Sequence, residues 1–270
     1  MTTDAAGIAA PDTGAPTATL FARESAPSLH EEGVHAERVL VSVVVTLFNY
    51  GRYLEECLRS VVAQTHRRLE LIIVDDHSTD DSAAVAKAWL ATHHARFERV
   101  ALLRHTANQG LSVARNTAFA AAQGDYVFVL DADNAIYPRA IARLLEAIRS
   151  GDYGVAYSQL ELFEDESRLG DADVWDPDRF RRHNYVDAMA LITKAAWARA
   201  GGYTIMKFGW EDYDLWCKFV EHGIAGLFVP EILCRYRVHG KSMLRVQTNP
   251  RAAAVIKDMM TRHPWLRLGE

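Results

Sequence analysis

The sequence predicts an α/β domain with a mainly parallel central sheet flanked by helices. From Arg38 onwards, short β-branched and aliphatic runs alternate with stretches whose apolar residues recur at helical spacing. A strand leading through a helix to the next strand implies right-handed crossovers, and so parallel neighbours. With 270 residues, 49% hydrophobic and 24% charged, the chain has the composition of a folded globular protein.

The elements follow in order. "RVLVSVVVTLF" (38–48) reads as a strand buried on both faces, and "RYLEECLRSVVAQT" (52–65) as a helix with Leu54, Leu58, Val61 and Val62 on one side. "LELIIVDD" (69–76) is the second strand. The capping cluster "HSTDD" opens the next helix, "DSAAVAKAWLATH" (81–93). "VALLR" (100–104) and the Ala-rich "LSVARNTAFAAAQ" (111–123) form the third pair. "GDYVFVLDADN" (124–134) supplies the fourth strand, and Pro138 opens the helix "PRAIARLLEAIRS" at a position that tolerates a missing N–H.

After Ser150 the alternation loosens. "YGVAYSQLELF" is a further strand, and "EDESRLGDADVWDPDRFRRHN" a charged loop. "DAMALITKAAWARAGGY" enters as a strand and leaves as a helix capped by Gly201 and Gly202. "WEDYDLWCKFVEHG" is an amphipathic helix, and "GLFVPEILCRYRVHGKS" holds two strand-like runs either side of Pro230. The chain therefore divides into a tail (1–37), a first α/β half (38–150), a second half (151–245) and a helical C-terminal extension (246–270).

The tail is rich in Ala, Thr, Ser, Pro and Gly without periodicity, a composition expected to stay disordered. It sets six carboxylates against Arg23 alone, which accounts for the whole formal net charge of -5. The remaining body is neutral and lacks a basic block, which argues against a nucleic-acid binder. Three widely spaced cysteines, Cys57, Cys217 and Cys234, suggest neither a disulfide framework nor a zinc site. No apolar run reaches the ~18 residues of a spanning helix and no secretory leader is evident, so the expected location is cytoplasmic.

In parallel sheets, ligands sit beyond the carboxyl ends of the strands. There the sequence places "VLDADNAIY" (129–137), in which Asp131 and Asp133 lie one residue apart. Two adjacent carboxylates repel unless a cation sits between them, and a hard divalent ion such as Mg2+ or Mn2+ takes one or two carboxylates plus phosphate and water oxygens. The preceding strand favours that reading over a merely solvated turn. Asp171 and Asp173 repeat the spacing in an acidic loop and read as solvated. Asp212 and Asp214 repeat it inside a helix, where residues two apart point to nearly opposite faces. They cannot share an ion, but one of them on the inward face, beside Glu211, is a candidate general base.

Taken together, "VSVVVTLFNYGRYLEECLRSVVAQTHRRLELIIVDDHSTDDS", "NQGLSVARNTAFAAAQGDYVFVLDADN", "GGY...GWEDYDLWCKF" and "YRVHGKS" resemble the family 2 glycosyltransferases with the GT-A fold, over roughly residues 41–242. The resemblance implies a nucleotide-diphosphosugar donor, a divalent metal and inversion at the anomeric carbon. It implies that Thr46, Asn49 and Tyr50 border the nucleoside, with Phe48 or Tyr50 stacking on the base, and that Asp76 hydrogen-bonds a uracil or thymine edge. Arg115 would approach the diphosphate or sugar, and Asp131 with Ala132 would line the donor. Asp131, Asp133 and His239 would hold the metal, Trp210 and Glu211 would border donor sugar and acceptor, and Asp212 would be the base. The acceptor would be a glycan, a lipid-linked sugar or a small molecule, compatible with peripheral membrane attachment. Neither a Gln-x-x-Arg-Trp motif nor long membrane helices are present, which points to single-sugar transfer. An apolar strand followed by Asp-x-Asp also suits a phosphohydrolase of the haloacid dehalogenase type, and a non-catalytic nucleotide-sugar binder is the third reading.

Overall fold

The computed structural model describes residues 17–21 and 39–269. In chain order the regular elements are β1 (Thr17–Phe21), β2 (Val41–Leu47), α1 (Gly51–Val62), β3 (Leu69–Asp75), α2 (Ser82–His93), β4 (Arg99–Arg104), α3 (Leu111–Ala121), β5 (Tyr126–Asp131), β6 (Ala135–Ile136), α4 (Ala140–Ile148), β7 (Val155–Glu164), β8 (Arg168–Leu169), α5 (Pro177–Phe180), β9 (Ala190–Thr193), α6 (Lys194–Arg199), α7 (Glu211–Glu221), β10 (Gly226–Val238) and α8 (Ala252–Arg262). One sheet runs in the order β1-β4-β3-β2-β5-β9-β7-β10-β6, with β8 beside β7.

The four strands β4, β3, β2 and β5 are parallel, as the alternation predicts. Beyond them the sheet is mixed. β9 runs antiparallel to both its neighbours, β5 and β7, while β7 and β10 are parallel to each other. The first four strand-to-helix units differ from expectation only at their ends.

β2 shows why the sheet can be covered on both sides. Val41, Val43, Val45 and Leu47 join one apolar cluster with Leu54 and Leu58 of α1, Leu90 of α2 and Leu144 of α4. Val44 points the other way, into a cluster with Ala118 and Phe119 of α3, Trp216 and Phe219 of α7, and Met259 of α8. Successive side chains of a strand alternate between faces, so one strand feeds both cores. The three cysteines are buried free thiols in these cores.

Two expectations need correction. Thr17–Phe21, inside the segment read as a disordered tail, pairs antiparallel with β4; residues 1–16 and 22–38 lie outside the described residues. The two runs flanking Pro230 are one strand, β10, whose register against β7 shifts between Val229 and Ile232 and again before Cys234. Pro230 falls where the ladder is already interrupted, which is where a residue without an N–H is tolerated in a sheet.

The C-terminal extension is tied down firmly. His263 sits between two carboxylates of α7, with Nε2 3.2 Å from Asp214 and Nδ1 2.7 Å from Glu221. The Arg267 N–H donates to the Arg181 carbonyl at 2.7 Å, and Leu266 and Leu268 are buried. No helix among the described residues is long and apolar enough to cross a membrane.

Candidate active site

The carboxyl ends of β2, β3 and β5 open onto a cavity of about 1100 Å3, whose opposite wall comes from the second half of the chain. Phe48, Asn49, Tyr50, Asp76, Asp133 and Asp212 all line it. The expected edge of the sheet is thus the edge that carries the pocket.

Several residues expected to face a ligand are engaged in building the rim. Asn49 adopts the left-handed region (φ 58°), and its Oδ1 accepts the Thr79 N–H at 2.8 Å while its own N–H donates to Ser78 Oγ at 3.0 Å. Asp76 accepts the backbone N–H groups of Gln109 (2.9 Å) and Gly110 (2.7 Å), and its Oδ1 lies 2.6 Å from His105 Nδ1. Its carboxylate braces the loop that starts α3. Phe48 stays 41% exposed and free to cover a planar ligand. Tyr50 packs edge-on against His239, 5.6 Å between centroids; burial and then the charge of Asp133 drive its phenol well above its ordinary pKa.

Arg115 is held by carboxylates on two elements. Its side chain is buried, and its guanidinium donates to both oxygens of Asp131 (2.9 and 3.1 Å) and to Glu211 Oε1 (2.6 Å). It therefore bridges β5 and α7 while lining the cavity. Thr46 Oγ1 donates to the same Asp131 at 2.8 Å, so Asp131 is a held carboxylate. Ala132 has its side chain in the apolar core and does not line the cavity.

Asp133 is differently placed. Its Oδ2 lies 3.0 Å from His239 Nε2, and its pKa is raised by burial and by the neighbouring charge of Asp131. The turn that carries it is fixed from the second half of the chain. Arg237 on β10 donates from Nε to the Asp133 carbonyl (2.8 Å) and from its backbone N–H to Asn134 Oδ1 (2.9 Å). Among the described residues no three His, Cys, Asp or Glu side chains are grouped so as to hold a metal ion. A carboxylate pushed up by burial and by its neighbour's charge, paired with an imidazole, fits a divalent ion that keeps open positions for phosphate and water.

The carboxylate expected to act as base, Asp212, sits at the start of α7. Gly209 (φ 96°) and Trp210 (φ 66°) are both left-handed, a double reversal that turns the first helical residues toward the cavity. A left-handed non-glycine residue is uncommon, and such outliers concentrate at functional sites. Asp212 accepts its own helix's Tyr213 N–H at 2.8 Å on Oδ1 and the Asn184 amide at 3.1 Å on Oδ2. Burial raises the carboxyls of both Asp212 and Glu211, with Arg115 opposing the rise.

The other two Asp-x-Asp members separate as the helix geometry requires. Asp214 faces away from the cavity, toward Thr204 Oγ1 (2.6 Å), Lys218 Nζ (3.1 Å) and His263. Burial pushes its pKa up, but His263, Thr204 and Lys218 outweigh it and hold Asp214 at about 2. Asp171 is exposed at the rim, 3.9 Å from Arg168, and Asp173 pairs with Arg179.

Sequence reasoning missed Asn184 and Asp187. β9 is antiparallel to β5, so its amino end, not its carboxyl end, lies at the ligand edge. In the observed register Phe128 faces Leu191 and Tyr126 faces Thr193. Asp187 lines the cavity, and burial pushes its carboxyl up to about 6. The "NYVD" segment (184–187) offered a warning only in its Asn and Asp residues, ordinary for a loop.

A substitution at Gly209 tests the launch of α7. Gly209→Ala would place a Cβ 2.6 Å from Thr248 Oγ1 in a conformation that L-residues avoid. We expect a loss of roughly 1–3 kcal/mol in urea unfolding, together with a fall in turnover as Asp212 shifts. Unchanged stability and turnover would show that the reversal does not set the base.

The model of the family described as Glycosyl transferase family 2 matches residues 42–212. Among curated relatives, the uncharacterized glycosyltransferase YibD of Escherichia coli (strain K12) is 33% identical over 165 residues, covering 60% of this chain and 43% of that protein. The chain spans 39% of the length of another such relative, from Nostoc sp.. Among solved structures, S. aureus TarS 1–349 in complex with UDP-GlcNAc superposes with a TM-score of 0.69 at 15% identity, over 83% of this chain and 66% of that one. The mannosyltransferase PcManGT of Pyrobaculum calidifontis, in complex with GDP-Man and Mn2+, gives 0.61 at 22% identity, over 75% and 58%. At these identities the structural likeness speaks for the fold.

Proposed function

The chain belongs to glycosyl transferase family 2 and has the GT-A fold, and on that premise we propose that it transfers a single sugar from a nucleoside diphosphate sugar to an acceptor hydroxyl with inversion. The observation that carries this is one cavity joining Asp133 at the strand ends to a partly open, buried-side carboxylate, Asp212, at a helix start.

The chemistry is a direct displacement. The acceptor oxygen attacks the anomeric carbon, the bond from that carbon to the phosphate oxygen breaks, and the acceptor proton passes to Asp212. Burial suits Asp212 to this role, because a carboxylate pushed above its ordinary range is a stronger base when ionised. Asn184 and the Tyr213 N–H orient it. Asp133 and His239 are the side chains that would hold a divalent ion, which when bound would offset charge on the leaving diphosphate. Phe48 and Tyr50 form the wall against which the nucleoside base rests. The phosphohydrolase alternative fares poorly, since both oxygens of Asp131, its required nucleophile, are occupied by Arg115.

The test is nucleoside diphosphate release from a panel of UDP-, dTDP- and GDP-sugars with and without Mn2+. Release that needs the metal supports the reading; release of inorganic phosphate from simple phosphomonoesters would overturn it. Within the same assay Asp133→Asn should weaken metal-dependent nucleoside diphosphate binding roughly 10- to 100-fold, the scale typical of a lost charge-assisted contact. Asp171→Ala, at the exposed rim, should change binding less than about 2-fold. Equal effects of the two would remove the distinction between the Asp-x-Asp pairs.

A further inference from the structure

Asp187 takes no part in the displacement just described, yet it projects into the same cavity. One of its oxygens, Oδ1, accepts the Met189 N–H at 2.8 Å, which fixes the side chain. The other, Oδ2, has no hydrogen-bond partner and no cation within salt-bridge distance among the described residues. It is also absent from the fully enclosed unsatisfied atoms, so it opens onto the cavity rather than into the core. Arg115, whose charge does reach this region, is already held by Asp131 and Glu211.

An ionised carboxylate can only accept hydrogen bonds. A partly buried one without a partner is costly, and the molecule best able to relieve it is one that brings a donor. Here that molecule is the acceptor and not the sugar nucleotide. The diphosphate is anionic and belongs beside Asp133 and His239, whereas Asp187 is joined through a four-residue loop to the group that holds the base. Asn184 donates to Asp212 Oδ2 at 3.1 Å, and its own Oδ1 accepts the Val186 N–H at 3.2 Å. The same loop thus positions the base and, three residues on, supplies a second carboxylate.

We propose, resting on the transferase reading above, that Asp187 binds the acceptor by accepting a hydrogen bond from a hydroxyl adjacent to the one that Asp212 deprotonates. The acceptor class this selects is a sugar edge with two neighbouring hydroxyls, one the nucleophile and one the anchor. A substrate that presents a lone hydroxyl leaves Asp187 unpaired, and a site built to bond a hydroxyl rejects the analogue lacking it.

The experiment is a cycle between enzyme and substrate. Wild type, Asp187→Ala and Asp187→Asn are assayed with the donor found by the release panel, using methyl glycosides of glucose, galactose, mannose and N-acetylglucosamine as acceptors. The glycoside that is accepted is then compared with its monodeoxy forms. For wild type, removing the anchoring hydroxyl should lower kcat/KM by roughly 10- to 100-fold, as expected of a hydrogen bond to a charged group. Asp187→Ala should show a similar loss with the intact glycoside and almost no further loss with the deoxy form. Calorimetric binding of the nucleoside diphosphate with Mn2+ should match wild type in both variants, which reports a folded donor side.

An equal deoxy penalty in wild type and variant would overturn the proposal, because the two groups would then act independently. Loss of nucleoside diphosphate binding in both variants would overturn it too, placing Asp187 on the donor side or in the fold. A wild type that hydrolyses donor but accepts none of the glycosides would refute the sugar-edge class. Absence of nucleoside diphosphate release by wild type from every donor is a separate result, and it removes the transferase reading itself.

Discussion

Asp212→Asn is expected to abolish transfer, with kcat lower by roughly 10^2- to 10^4-fold, the span attributed to a positioned general base. Steady-state release of nucleoside diphosphate would measure the loss, and calorimetry in the presence of Mn2+ should find donor binding retained. Asparagine keeps the shape and the Asn184 and Tyr213 contacts within reach but cannot take a proton. Transfer that survived the substitution would move the base elsewhere. The wild-type pH profile carries the same signature. Because burial raises the Asp212 carboxyl, the base is protonated at pH values where an ordinary aspartate is ionised, so activity falls on acidification earlier than a solvated carboxylate would dictate.

A stability effect of opposite sign accompanies that loss. A carboxyl whose folded pKa exceeds its unfolded value penalises the fold once it ionises, and the penalty is absent below the unfolded pKa near ~3.9. Asp212→Asn should therefore melt higher than wild type at pH 8, with the difference shrinking toward pH 5. A gain independent of pH would show that charge is not its source.

The largest stability loss belongs to Arg115. Replacing it by Met leaves the buried Glu211 and the partly exposed Asp131 without their cation, and breaking a buried pair costs about 3–5 kcal/mol. Urea unfolding of Arg115→Met should show a loss on that scale, and adding Glu211→Gln should return part of it. Arg115→Lys should fall short of wild type, because a single ammonium cannot match the two-sided fork that the guanidinium presents. A loss below about 1 kcal/mol would mean the bridge is weakly coupled to the fold.

How far the sequence reached depended on distance along the chain. Strand and helix in the first half are set by local periodicity, and the residues at the ends of β2, β3 and β5 did converge on one cavity. The separation of Asp212 from Asp214 was equally legible, since it follows from helix geometry alone. What was not legible depends on partners far away in sequence. Arg115 meets Glu211 across 96 residues, and Asp76 meets Gly110 across 34, so these cavity-lining charged groups also hold the fold together, which local sequence does not reveal. β9 is the sharpest case. Four residues carry no sign that they will insert antiparallel between β5 and β7, and without that reversal Asp187 reads as a loop aspartate remote from the chemistry.

The latch formed by His263 and the buried Leu266 and Leu268 has a practical consequence for anyone handling the protein. Leu268 and Gly269 form part of the cavity wall, so whatever is joined behind Gly269 starts beside the cavity. β1 lies at the outer margin of the sheet, on the far side of β4 from β3 and four strands away from β5. Thr17 pairs with Arg104, so the amino end of β1 lies at the same edge of the sheet as the cavity but at its outer margin, whereas a tether behind Gly269 starts from the cavity wall itself and is the one expected to compete with bulky acceptors.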